Sequence, residues 1–190
     1  MKAEEAEFLY PWLRHMARMH ARACTISQVT GVSTMVVRNL WRDVNKVSPP
    51  SGQQPTDTGW YLRSPKRKMH SALLLLLYQK ALKTSPKKVA FAQAYFHYAS
   101  MTVADASEKT KTESADFRRI GAYRANEADY EIPYSRGAFL CGYYTDQTNS
   151  DGKTRLCDLQ LKQCRTCQSV FLGTSIKCEP KCPICQAAKH

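Results

Sequence analysis

Cys164-Arg165-Thr166-Cys167, then fourteen residues, then Cys182-Pro183-Ile184-Cys185: this stretch decides how the C-terminal part of the chain must fold. Two Cys-x-x-Cys pairs at such a separation are the sequence form of a tetrahedral zinc site. Each pair sits on a tight knuckle, and the intervening loop lets the second knuckle fold back on the first. Four thiolates close the coordination shell and leave no position for a reactive water, so the expected zinc is structural, one per chain. Its binding contributes roughly 10 kcal/mol to folding a segment too small to hold its own core. Four further cysteines are present, Cys24, Cys141, Cys157 and Cys178. Cys178 is the rival ligand because it too lies close to Cys182. Two disulfides are the alternative chemistry, but nothing in the chain suggests export to an oxidising compartment.

The 190 residues carry a net charge of +12, and that excess calls for an acidic partner, nucleic acid before an anionic membrane. The N-terminus is acidic and precedes no signal-type apolar run. The longest apolar run, Ala72 to Leu77, is far too short to span a bilayer. A reducing cytoplasm is therefore the expected location, in keeping with thiolates free to bind metal.

Upstream, residues 5–24 read as an amphipathic helix, with Phe8, Leu9, Trp12, Leu13, Met16 and Met19 at spacings of three and four. Residues 25–46 read as a helical hairpin. A short helix ends at Gly31, which supplies the left-handed conformation of a tight turn. Ser33 then caps the next helix. On that helix Val37, Leu40, Trp41 and Val44 share one face, and Met35, Arg38, Asn39, Arg42 and Lys46 share the other. This is the layout of a helix-turn-helix, in which Arg pairs with guanine and Asn with adenine. An ordinary helical hairpin with a charged outer face fits the same residues.

Residues 47–60 break the pattern with three prolines and two glycines, and Trp60 and Tyr61 anchor the far end. Residues 61–90 carry eight Lys or Arg and no acidic residue. Lys66, Arg67 and Lys68 open a helix running to about Leu82, and cations there oppose the helix dipole, so a compensating anion such as phosphate is expected. A solvated charge run is the alternative. Leu73 to Leu77 cover all sides of this helix and place it in the body or in a subunit interface. Further helices are expected over 87–104, 114–125 and 134–144. Strands are expected over 156–161 and 169–172. The fold class is thus mainly α. A helical region with a helix-turn-helix-like hairpin spans 1–46, a Pro/Gly-rich loop 47–60, a helical body 61–148, and a small zinc-ribbon-like module with four cysteine ligands 149–190.

Four features in this order resemble the FlhC family, the zinc-bearing subunit of the flagellar master transcriptional activator, with its relatives on conjugative mobile elements. They are the hairpin through Leu40-Trp-Arg-Asp, then Ser48-Pro-Pro-Ser-Gly, then Asp57-Thr-Gly-Trp60, then the paired Cys-x-x-Cys that follows the Ser135-Arg-Gly-Ala-Phe helix. The resemblance implies that Cys164, Cys167, Cys182 and Cys185 bind one structural zinc. It also implies a heteromer with a small helical FlhD-like partner that binds promoter DNA and recruits RNA polymerase. The shorter gap between the cysteine pairs leans toward the mobile-element branch, whose members activate conjugative-transfer genes.

The leading expectation is a sequence-specific, DNA-binding transcriptional activator subunit. Its candidate contacts are Ser33, Thr34, Arg38, Asn39, Arg42 and Lys46 on the hairpin, Lys66, Arg67 and Lys68 at the basic helix start, and Arg165, Lys177 and Lys181 on the zinc module. An RNA-binding zinc-ribbon protein is the alternative. An enzyme is not expected: His15, His20, His70, His97 and His190 are scattered, and no Gly-rich phosphate loop is present.

Overall fold

The structure is a computed structural model that describes residues 3–50, 54–104, 130–148, 159–174 and 182–188. Seven α-helices, a 3-10 turn and two strands are present among the described residues. They are α1 (Ala3–Arg18), α2 (Ala23–Thr30), α3 (Thr34–Asn45), the 3-10 turn Gly59–Leu62, α4 (Pro65–Thr84), α5 (Lys87–Ala104), α6 (Tyr134–Thr148), β1 (Gln160–Gln163), β2 (Val170–Gly173) and α7 (Pro183–Ala187). The chain is mainly helical, as its periodicities require. The helix expected over 114–125 falls outside the described residues.

The first three helices pack on one another. Leu9, Leu13 and Met16 of α1, Ile26 of α2, and Val37, Leu40 and Trp41 of α3 are buried together. The helix expected over 5–24 ends six residues early, and Ala23 and Cys24 already belong to α2, the short helix expected before Gly31. α1 stops at Arg18, and His20 takes a left-handed conformation with φ 55°. The His20 N–H donates to the Ala17 carbonyl and the Ala21 N–H to the Met16 carbonyl, which is the pairing of a Schellman helix end. That turn frees the Ala21 carbonyl to accept from Trp41 Nε1 at 2.9 Å, and Asn45 Nδ2 donates to the Ala17 carbonyl at 3.0 Å. Two hydrogen bonds thus strap α3 to the end of α1. The turn before α3 follows its sequence: Gly31 is left-handed at φ 74° and its N–H closes on the Ser27 carbonyl.

α4 is the hub. Ser64 caps it by accepting the Arg67 N–H, and Pro65 occupies the first turn, where no N–H is needed. Leu74 and Leu75 are fully buried, Leu73 and Leu77 pack against the core, and Leu76 alone of the run stays 41% exposed. Because the run is apolar on nearly every side, α4 receives α5, α6, β2, α7 and the 3-10 turn around it. On α5, Phe91, Tyr95 and Tyr98 are buried and form edge and tilted ring contacts with Tyr78, Tyr130 and Tyr134. Tyr95 Oη donates to the Ile132 carbonyl, and Tyr98 Oη accepts from the Ile132 N–H, fixing the entry to α6. His15 is buried between Trp12 and Phe96. Desolvation, helped by Arg18, lowers its pKa to about 4, so it is a neutral core residue.

β1 and β2 form an antiparallel hairpin with Leu161 opposite Leu172 and Lys162 opposite Phe171. Phe171 and Leu172 are buried, and Leu172 belongs to the same core as the helices. The hairpin therefore docks on α4 and shares the helical core. Among the described residues no helix is long and apolar enough to cross a membrane.

Two glycines on α6 make the packing testable. A methyl group at Gly137 would lie 2.9 Å from Leu74 Cδ2 and 3.3 Å from the Tyr95 ring, whereas Gly142 has nothing within 4 Å. Gly137→Ala should lower the denaturant midpoint, with an overpacking cost of about 1–3 kcal/mol. Gly142→Ala should raise it by about 0.5–1 kcal/mol, the ordinary helical gain. Equal shifts at the two positions would contradict the close approach of α6 to α4.

Candidate metal centre

The β1–β2 hairpin positions the first knuckle. The Cys164 N–H donates to the Ser169 carbonyl and the Gln168 N–H to the Cys164 carbonyl, closing a turn in which Gln168 is left-handed at φ 58°. This turn explains the strand bounds. β1 runs later than the expected 156–161, over Gln160–Gln163, because its ladder ends at the knuckle; residues 156–158 are outside the described set. The second knuckle is the start of α7. Cys182 precedes Pro183, and the Gln186 N–H bonds back to the Cys182 carbonyl, so one helical turn brings Cys185 beside Cys182.

These two knuckles meet. The Sγ atoms of Cys164, Cys167, Cys182 and Cys185 all lie within 4.8 Å of one another. Cys164 Sγ is 3.7 Å from Cys185 Sγ, and Cys167 Sγ is 3.6 Å from Cys182 Sγ. Disulfides need about 2.05 Å, which excludes them for these contacts. A tetrahedral zinc with four sulfurs at about 2.3 Å places them about 3.8 Å apart, close to what is seen. The donor set and spacing therefore fit a structural metal such as zinc.

The charge balance argues the same way. Hydrogen bonds from Ser169, through its side chain and its backbone, lower the Cys167 thiol to about 6. Contacts to Cys167 and Cys164 push Cys185 up to about 12. Four thiols this close do not all ionise beside one another unless a cation compensates them, and a dication does so. Sequence reasoning missed Ser169. Its Oγ lies 3.0 Å from Cys167 Sγ and 3.3 Å from Cys182 Sγ, so one hydroxyl reaches both knuckles. Its place two residues after Cys167, on the return of the knuckle, was the available signal. Cys24 is exposed and Cys141 is buried, with its thiol pushed up by burial; neither belongs to the cluster. The rival ligand Cys178 and Cys157 lie outside the described residues.

The basic candidates fall into separate places. On α3, Arg38, Asn39 and Arg42 are exposed, opposite the buried Val37, Leu40 and Trp41; Lys46, expected on the same helix face, is instead the exposed left-handed residue that ends the helix, at φ 61°. Thr34 is half-buried and donates its hydroxyl to Ser27 Oγ, so it serves the turn; Ser33 is exposed at the helix start and makes no side-chain cap. At the start of α4 the expected compensating anion has a source within the chain, because Glu131 pairs with Arg67 at 3.4 Å and with Lys66 at 3.9 Å. The guanidiniums of Arg67 and Arg136 also lie over the Trp60 ring, at 4.1 and 4.2 Å from its centroid. Lys68 is half-buried one residue further on, and Arg165 is exposed on the first knuckle. Lys177 and Lys181 lie outside the described residues. Neither a protein-family model nor a curated protein matches this chain.

Replacing any of the four clustered cysteines by serine should abolish stoichiometric metal binding, measured by atomic emission on the purified chain. Cys178→Ser should leave the metal content intact. Ser169→Ala should keep the stoichiometry but weaken retention about 10–100-fold against a chelator, as loss of an outer-shell partner does. Loss of metal from Cys178→Ser with retention in Cys182→Ser would overturn the ligand set.

Proposed function

We propose that this chain is a sequence-specific, duplex-DNA-binding subunit of a transcriptional activator, held together at its C-terminus by one structural zinc. The outward face of α3 carries the reading. Arg38, Asn39 and Arg42 stand exposed on a helix whose opposite face is strapped to the body by Trp41 and Asn45, with Lys46 exposed at its end. A rigid helix presenting two arginines and an asparagine suits the major groove, and the net charge of +12 suits the phosphate backbone. The order of hairpin, Ser-Pro-Pro segment, Asp-Thr-Gly-Trp and paired knuckles supports a place beside the FlhC family, with flagellar or conjugative-transfer promoters as targets. In this reading the chain is not an enzyme.

On the same reading the chain acts in a heteromer with an FlhD-like helical protein and contacts RNA polymerase. Much of the apolar surface of α1 and α4 is buried within the chain; among the described side chains Phe8 and Tyr10, each 49% exposed, and Leu76 are the exposed large apolar residues of those helices, open to a partner. RNA binding through the exposed first knuckle is the competing reading.

Binding should fall steeply with salt as counterions are released. Arg38→Ala and Arg42→Ala should each cost about 1–3 kcal/mol and relax sequence preference. Lys66→Ala should weaken specific and non-specific duplexes alike and flatten the salt slope. Titration of each variant against an operator, a scrambled duplex and a structured RNA at several salt concentrations checks this. Full specificity in the α3 variants with loss in Arg165→Ala would transfer base reading to the metal module. Preference for the RNA would replace the DNA reading.

A further inference from the structure

Met35 is the most exposed large apolar residue of the described chain, at 70%. It does not sit at the margin of α3. With 3.6 residues per turn, positions 35, 38, 39 and 42 are neighbours on one face, since they stand at i, i+3, i+4 and i+7. The buried residues Val37, Leu40 and Trp41 occupy the opposite side. Met35 is thus the N-terminal member of a patch made of a thioether, an amide and two guanidiniums. Recognition helices contact base edges chiefly through their N-terminal residues. An apolar side chain left in water at that position, among cations, suits a surface with an apolar group set beside hydrogen-bonding base edges and phosphates. In the major groove that group is the C5-methyl of thymine. A protein partner offering only an apolar face would leave Arg38 and Arg42 desolvated without counter-charge, and duplex DNA supplies that charge.

We infer that Met35 reads a thymine methyl, so that the sequence bound by α3 contains an A·T pair at the Met35–Asn39 end, next to guanine taken by Arg38 or Arg42. This rests on the duplex-DNA reading above and adds to it a residue and a base that the charged side chains alone do not specify. Asn39 is placed to take the adenine edge by its paired donor and acceptor, and Met35, one turn earlier, meets a methyl group.

The test removes the methyl group and nothing else. A duplex is selected from a random pool by the zinc-loaded full chain, together with any subunit that co-purifies with it. It is then resynthesised with deoxyuridine in place of each thymidine in turn. At one or two positions uracil should weaken binding about fourfold, the value of one buried methyl group. Met35→Ala should bind the thymine and uracil duplexes equally at those positions, while Lys66→Ala keeps the difference. Uniform indifference of the wild-type chain to uracil, with specificity still lost in Arg42→Ala, would overturn this inference and leave the DNA reading standing. Methyl discrimination that survives in Met35→Ala would overturn it too, even with the variant folded and zinc-loaded. A pool that yields no enriched duplex would remove the DNA reading and this inference with it.

Discussion

Burial of α4 is the constraint on which the rest of the fold depends. Across its five consecutive leucines α4 has no polar face, only Leu76 is turned to water beside the exposed Lys80 and Lys83, and each exposed leucine forgoes about 1.5–3 kcal/mol of burial. The chain answers by packing other elements around it. α5 and α6 cover it with an aromatic layer, and the β1–β2 hairpin and α7 cover it from the C-terminal side. The metal cluster is coupled to this arrangement. Leu172 stands on β2, a few residues from the first knuckle, and belongs to the helical core, so gathering four thiols and docking β2 on α4 are coupled. A hairpin of two four-residue strands is marginal alone. Here it is held by the core at one end and by the cysteine cluster at the other.

Positive charge is distributed by the same logic. Arg67 and Arg136 both lie over the ring of Trp60, and Glu131 pairs with Arg67 and Lys66. That group joins the 3-10 turn, the start of α4 and the entry to α6. The pair of Glu131 with the exposed Lys66 contributes little, while Arg67, half-buried like Glu131, is held by both the carboxylate and the Trp60 ring. On α3 the cations are presented differently. The helix is strapped from behind by Trp41 and Asn45, and its arginines point away from the body. One basic surface is tied into the fold and the other is offered outward, which is why α3 carries the functional reading.

The cysteine spacing declared the cluster because ligand geometry is local: two residues between thiols make a knuckle almost regardless of context. The turn between α2 and α3 was legible for a similar reason, since Gly31 is what a left-handed turn favours. The end of α1 was not legible. The same left-handed conformation is there adopted by His20, whose identity announces no stop, and the freed Ala21 carbonyl finds its partner in Trp41, twenty residues on. Glu131 and Ser169 were hidden for another reason. Glu131 acts on residues more than sixty positions earlier, and the hydroxyl of Ser169 matters only once the second knuckle has folded back onto the first. Nothing in the spacing of the cysteines told that their hairpin would share the helical core; the short apolar run Val170-Phe171-Leu172 became informative only with α4 beside it.

In the proposed DNA reading the outward face of α3, and not the metal module, meets the bases. Photo-crosslinking tests it most directly. A selected duplex carrying 5-iodouracil in place of thymine is irradiated in complex with the zinc-loaded chain, and the attached peptides are mapped by mass spectrometry. The account predicts attachment within residues 34–46. Attachment confined to residues 160–173, with none on α3, would contradict it and make the helical hairpin a packing element.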